Sequence, residues 1–113
     1  LDNGVVVVEG NKIAFVGSKK DYQKRPKPAG QVSIIDCSGK TIMPGIIDVH
    51  AHSGNFRYGL NPQKQWEYYA NLAYGVTTSH DPSVNSEMSF SNAELIKSGR
   101  MRGPRLVSTG TII

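Results

Sequence analysis

Two histidines separated by one residue, His50 and His52, are the side chains of this sequence best suited to chemistry. Alternate residues of a β-strand point to one face, so both imidazoles are expected on the same face with Cα atoms roughly 6.5 Å apart. Two imidazoles at that spacing can bind one metal ion, and Asp48 on the same face could orient one of them. A His-x-His pair also arises by chance, and a catalytic zinc site needs three protein ligands and a water. The pattern therefore predicts part of a metal site.

The residues before Pro44-Gly45 predict β-structure that has no helical period. Four short strands are expected, at residues 5–9, 12–16, 32–36 and 41–43. Gly10-Asn11 is typical of a two-residue hairpin turn, because both residue types tolerate positive φ. A further turn is expected around Ser38-Gly39-Lys40.

After Pro44-Gly45 the pattern changes to alternating strands and helices. The expected elements are a strand at 46–52, a helix from Asn61-Pro62 to Gly75, a strand at 76–80, a helix within 85–98 and a strand at 104–109. The second helix could begin near Asn85 or at a capping box formed by Ser91 and Glu94. This order predicts parallel strands covered by helices. The histidine pair then lies at the carboxyl end of the first strand, the edge that carries the active site in (β/α)₈ barrels.

The packing expected of the side chains follows from the same periodicity. Ile47, Val49 and Ala51 would form an apolar face against the helices. Trp66 and Tyr69 lie at helical spacing and are expected to pack the first helix on the sheet.

Composition excludes several classes of protein. The chain has 113 residues, a net charge of +4, 38% apolar and 19% charged residues, which suits a globular fold. No apolar run approaches the roughly 18–20 residues of a membrane helix, so no membrane association is expected. The single cysteine, Cys37, excludes an intrachain disulfide and a cysteine-based zinc site, and is expected to be a small buried apolar residue. The lysines and arginines cluster at 19–27 and 97–105, away from most aromatic residues, so nucleic-acid binding is not expected. Nothing in the sequence assigns a compartment.

The ordered motifs resemble the metal-dependent amidohydrolase superfamily, in its imidazolonepropionase-like and prolidase-like branch. Residues 38–52 are similar to the opening signature of that family, and residues 11–17 to the hairpin of its small β-sandwich domain. Residues 75–78 resemble its second barrel strand, and residues 103–106 the start of its third.

The resemblance implies an α/β fold made of two incomplete parts. Residues 1–43 would belong to the β-sandwich domain, and residues 44–113 would be the first three β/α units of a TIM-barrel-type (β/α)₈ metallohydrolase. It implies a divalent metal, most often zinc, with His50 and His52 among the ligands. The expected activity is hydrolysis of carbon–nitrogen bonds in small amides, cyclic amides, amidines or dipeptides by metal-activated water.

The remaining functional residues of the family come from later barrel strands, which this chain lacks. We therefore expect an N-terminal part of the enzyme that is inactive alone, and no catalytic or substrate-binding residue is assigned within it. Three parallel strands leave unpaired edges, so self-association or pairing with the remainder of a longer chain is expected. A non-catalytic β/α module that binds a metal or a partner protein is the alternative, and a basic nucleic-acid binder is a weaker third.

Several polar residues near the histidine pair have simpler interpretations. His80 is expected to be a rim residue that faces solvent or substrate rather than a ligand, and Asp81 to cap the turn at Pro82. Arg57 and Tyr58 are expected in a solvated loop.

Overall fold

The computed structural model describes residues 1–53 and 62–111. The chain forms two compact units, Leu1–Ile42 and Met43–Ile113, which are described separately. The predictions for Arg57, Tyr58 and Asn61 fall outside the described residues. Within the described ranges, no helix has both the length and the apolar character needed to cross a membrane.

The first unit is built on a β-hairpin. Strands β1 (Gly4–Glu9) and β2 (Lys12–Ser18) pair antiparallel, and the short helix α1 (Lys19–Gln23) follows. Gly10 takes a φ of +60° whereas Asn11 does not take a positive φ. The predicted hairpin is confirmed, with only the first turn residue in the left-handed region, as in a type II′ turn.

The two further strands predicted for this part of the chain, at 32–36 and 41–43, are absent from the described structure. Val32, Ile34 and Ile35 are at least half exposed instead. A β-branched run becomes a strand only where a neighbouring strand supplies hydrogen bonds and packing, and here neither is present. The turn around Ser38 does form, because Asp36 accepts hydrogen bonds from the Ser38 backbone and hydroxyl groups.

The second unit is a three-stranded parallel sheet with helices. Its elements are β3 (Ile46–Asp48), α2 (Trp66–Ala73), β4 (Val76–Asp81), α3 (Ser86–Lys97) and β5 (Arg105–Ser108), with strand order β3-β4-β5. The α/β class expected from the sequence is confirmed, and no closed barrel is present among the described residues.

The start of α2 differs from the predicted one, and the start of α3 decides between the two predicted alternatives. Helix α2 begins at Trp66, after the N-cap Gln65, and Pro62 lies outside it. Helix α3 has Asn85 as its N-cap, with its side chain accepting a hydrogen bond from Met88 N at 2.8 Å. The capping box at Ser91 is therefore wrong, because Ser91 lies within the helix.

The core of this unit lies between the sheet and its helices. Tyr68, Met101 and Leu106 are buried together, and residues of α3 pack against them. The Tyr68 hydroxyl accepts a hydrogen bond from Asn92 Nδ2 at 3.2 Å. Burial raises the pKa of Tyr68, and the bond from Asn92 opposes that shift.

The predicted packing of α2 and β3 is wrong. Trp66 is 67% exposed and Tyr69 is 39% exposed, while Tyr68 carries the buried face of α2. Ile47 and Val49 are also exposed, and only Ala51 of that predicted apolar face is buried. The parallel register explains the second error. It places Asp48 beside Ser79 and Ser79 beside the buried Leu106, so Asp48 rather than Ile47 lies on the helix-covered face.

Candidate functional site

The two histidines lie in the segment that leaves β3. The strand ends at Asp48, whose Oδ1 accepts a hydrogen bond from the His50 backbone N–H at 3.1 Å. This is an Asx-type turn, and it redirects the chain at the end of the strand. Asp48 Oδ1 thus supports the backbone of His50, and the expected role of Asp48 in orienting an imidazole stays a prediction.

Two hydrogen bonds fix this segment to the carboxyl end of β4. Ala51 N donates to the His80 carbonyl at 2.9 Å, and His80 Nδ1 lies 3.0 Å from the Val49 carbonyl. A carbonyl oxygen can only accept, so Nδ1 is the protonated nitrogen of His80. His80 is half-buried at the sheet edge, and its ring supports the backbone that carries the histidine pair.

The structure brings the imidazoles of His50 and His52 together. Their ring centroids are 5.0 Å apart and the rings meet edge-on, at 83°. Both side chains are exposed, His52 by 57%. The predicted proximity of the pair therefore holds, although the residues follow β3 rather than belonging to it.

A buried carboxylate lies behind His52. Asp81, the last residue of β4, is 1% exposed, and its Oδ1 is 3.5 Å from His52 Nδ1. The Ser53 backbone N–H also donates to this carboxylate. Oδ1 makes no hydrogen bond, so the bond from Ser53 goes to Oδ2. Burial raises the pKa of Asp81, and the nearby His52 and the Ser53 hydrogen bond act in the opposite direction.

Asp81 is the residue of this site that sequence reasoning missed. The residue was expected to cap the turn at Pro82, but its carboxylate contacts His52 and Ser53 instead. The signal was available in the topology. Neighbouring parallel strands end at the same edge of a sheet, so the residue that closes β4 lies close to the segment that leaves β3.

The donors present suit a divalent metal but do not complete its coordination. Two exposed imidazoles lie edge-on to each other, and a carboxylate oxygen without a hydrogen bond lies beside one of them. Imidazole nitrogen is a common ligand of zinc and related ions. Among residues 1–53 and 62–111, no group of three or more His, Cys, Asp or Glu side chains could hold an ion. The types of donor present in these ranges are therefore those that zinc and related ions bind, in a number too small for a complete site.

The rest of the predicted candidates lie away from this site or contribute little to it. Cys37 is a free thiol of intermediate burial in the first unit, so its expected full burial is wrong. Ser53, at 8% exposure, has a hydroxyl oxygen with no hydrogen-bond partner, like Asp81 Oδ1.

Comparison with known proteins gives one consistent name. The chain is 29% identical over 119 residues to an imidazolonepropionase of Sphingopyxis alaskensis, a match that covers 97% of this chain and 27% of that relative. It is 32% identical over 114 residues to the imidazolonepropionase of Paenarthrobacter aurescens, covering 98% of this chain and 25% of that protein. A shorter segment of 53 residues is 42% identical to the imidazolonepropionase of Shouchella clausii.

The two longer alignments cover nearly all of this chain but only part of each relative. The chain spans about a quarter of the length of the relatives that it matches end to end. No family model matches the sequence, and no solved structure matches it.

Proposed function

We propose that this chain, which belongs to the imidazolonepropionase-like amidohydrolases, contributes two imidazole ligands of a divalent-metal centre to a hydrolase of carbon–nitrogen bonds. The observation that carries the proposal is the edge-on approach of His50 and His52, with ring centroids 5.0 Å apart. The relatives that match 97–98% of the chain, all imidazolonepropionases, support the reaction class.

The fold assigned to the complete enzyme is part of the proposal. Residues 44–113 would supply the first three β/α units of a (β/α)₈ barrel, and residues 1–43 would belong to a small β-sandwich domain. The parallel order β3-β4-β5 with a helix before each of the later strands supports the first assignment. Active sites of such barrels lie at the carboxyl ends of the strands, where His50 and His52 are found.

His50 and His52 would hold the metal, and zinc suits their nitrogen donors. When bound, the ion supplies a nucleophile by lowering the pKa of its water and polarises the substrate carbonyl. The chain's own residues hold the ligands in place. Asp48 accepts a hydrogen bond from the His50 backbone and so redirects the chain there. The hydrogen bonds of Ala51 and His80 connect the segment to β4, and the Asp81 carboxylate lies next to His52.

The substrate class follows from the relatives. An enzyme named imidazolonepropionase acts on an imidazolone, which is a cyclic amide, so a small cyclic amide is the substrate proposed for the complete enzyme. The 113 residues hold two of the ligands that a catalytic metal requires, so the chain alone is proposed to be inactive.

The two outer strands of the sheet, β3 and β5, have one unpaired edge each within the described residues. Such edges pair readily with other strands. We propose that they pair with further strands of a longer polypeptide or, in the isolated chain, with a second copy. Light scattering that shows a stable monomer at micromolar concentration would argue against this part of the proposal.

The activity is tested on the natural full-length polypeptide that carries these residues. We expect hydrolysis of a cyclic amide such as imidazolonepropionate, loss of that activity after dialysis against a chelator, and recovery with zinc. A His52→Gln variant should lose both the bound metal and the activity, whereas Asp36→Asn, an exposed change in the first unit, should lose neither. Full activity in a protein from which no divalent metal can be detected would refute the proposal. The non-catalytic alternative predicts metal binding without turnover of any amide.

A further inference from the structure

Asp81 carries a buried carboxylate oxygen that lies beside a proposed metal ligand. The side chain is 1% exposed and its Oδ1 makes no hydrogen bond. A buried carboxylate oxygen without a partner costs free energy, so its retention requires a physical reason. His52 Nδ1 lies 3.5 Å from this oxygen and can donate to it.

The backbone determines which oxygen of Asp81 faces His52. The Ser53 N–H donates to the carboxylate, and because Oδ1 has no hydrogen bond, that interaction uses Oδ2. Ser53 follows His52 directly in the chain, so the same short segment carries the imidazole and the donor that orients the carboxylate. Oδ1 is thereby held against Nδ1 of His52.

We propose that Asp81 is a positioning residue, which accepts a hydrogen bond from His52 Nδ1 and so keeps Nε2 unprotonated and directed to the metal. The inference rests on the proposed metal centre and extends it to a residue of a different strand. The proton of a neutral imidazole resides on the nitrogen that makes the hydrogen bond, and ligand histidines commonly donate their other nitrogen to a carboxylate or a carbonyl. The present separation of 3.5 Å is long for such a bond, and catalytic hydrogen bonds often shorten when the site is loaded.

The tautomer of His80 provides an internal control for that of His52. Its Nδ1 donates to the Val49 carbonyl at 3.0 Å, so its proton is fixed on Nδ1 without any carboxylate. A change at Asp81 should alter the tautomer of His52 and leave that of His80 as it is.

Substitution of Asp81 by Asn separates positioning from simple packing, because the two side chains have nearly the same shape. The amide oxygen of Asn would keep the bond from the Ser53 N–H, which leaves the amide NH₂ facing His52. An NH₂ group donates and cannot accept, so His52 Nδ1 would become the acceptor and the proton would move to Nε2. The same Asp-to-Asn change in a catalytic triad retains the geometry but imposes the wrong tautomer.

The experiment measures imidazole ¹⁵N chemical shifts in the metal-free 113-residue chain, which contains three histidines. We expect His52 in the Nδ1–H form in the wild type and in the Nε2–H form in Asp81→Asn, with His80 in the Nδ1–H form in both. The control Asp36→Asn, which removes an exposed carboxylate in the first unit, should leave all three histidines unchanged. A wild-type His52 with its proton on Nε2, or a tautomer that does not respond to Asp81→Asn, would overturn the proposal.

A zinc titration of the natural full-length polypeptide distinguishes this inference from the proposed function. Loss of a partner that orients a metal ligand typically costs 10–100-fold in affinity, so Asp81→Asn should weaken zinc binding by about that factor. If the wild-type chain shows the Nδ1–H tautomer but the natural full-length polypeptide binds no zinc at millimolar concentration, the positioning contact stands and the proposed metal centre is refuted. An unchanged zinc affinity in Asp81→Asn would overturn the inference while leaving the metal centre in place.

Discussion

Gly45 is predicted to be required by its contact with Thr77, at the point where the chain enters β3. A methyl group added at Gly45 would lie 2.7 Å from Thr77 Cβ and would also overlap Oγ1 and Cγ2 of that residue. Optimal carbon–carbon contacts are about 3.5–4.0 Å, so the two chain segments would have to separate by about 1 Å. Rotation of the Thr77 side chain cannot relieve the overlap, because Cβ is fixed by the backbone of β4.

The expected cost of Gly45→Ala is about 1–3 kcal/mol, the usual range for overpacking a well-fitted site. The neighbouring hydrogen bond from Ile46 N to the Gly75 carbonyl, 2.8 Å long, joins the same two segments and would be strained by the separation. For a domain of this size, each kcal/mol lowers the melting temperature by about 4–8 °C. Thermal unfolding followed by circular dichroism measures the change.

Two further variants test the reasoning. Gly30→Ala is the matched control, because no atom lies within 4 Å of a Cβ built there and its φ is not positive. That change should be neutral or stabilise by up to about 1 kcal/mol through the unfolded chain. The Thr77→Gly substitution removes the clashing Cβ. In a protein that carries it, Gly45→Ala should lower the free energy of unfolding by less than about 0.5 kcal/mol, which is the deviation from additivity seen for independent sites. A Gly45→Ala protein as stable as the wild type, or an unchanged cost in the Thr77→Gly background, would refute the explanation.

Three other predictions concern the helices. Tyr68→Phe removes the acceptor of a buried hydrogen bond and should lower the free energy of unfolding by about 1–3 kcal/mol in urea denaturation; a cost near zero would contradict the role of that bond. Asn85→Ala should cost about 1 kcal/mol through loss of the α3 N-cap, whereas Ser91→Ala, inside the helix, should cost much less in the same assay. The hydrogen bond from Lys24 is the main reason why the pKa of Asp21 lies below its usual value. Asp21 therefore stabilises the fold above its unfolded-state pKa, and this contribution is lost as the pH falls through the lower folded-state pKa. NMR titration of the carboxylate should show that low midpoint, and Lys24→Ala should raise it.

Local sequence signals predicted the elements that depend on local interactions. Gly10 marks the hairpin, and its positive φ is what the turn requires. The alternation of strands and helices after Pro44 is also present in the structure, because each element there has a neighbour against which to pack. The strand expected at 32–36 did not form, since its β-branched residues have no adjacent strand in the first unit.

Properties set by tertiary contacts were harder to predict. The periodicity of α2 favoured Trp66 and Tyr69 as the packed face, yet the sheet contacts Tyr68. The i, i+2 spacing of His50 and His52 correctly predicted that their rings approach each other, although a strand was expected to hold them. Asp81 was assigned to the turn at Pro82, because its partner His52 is distant in sequence and only the strand order brings the two together.

The assignment of the histidine pair as metal ligands is the central claim, and zinc binding to the chain tests it most directly. Isothermal titration of the metal-free, natural full-length polypeptide with zinc should show binding that the double substitution His50→Ala with His52→Ala abolishes. Cys37→Ser, which removes the single thiol of these 113 residues, should leave it unchanged. Zinc binding that survives the double histidine substitution, or that is lost with Cys37 alone, would contradict the account.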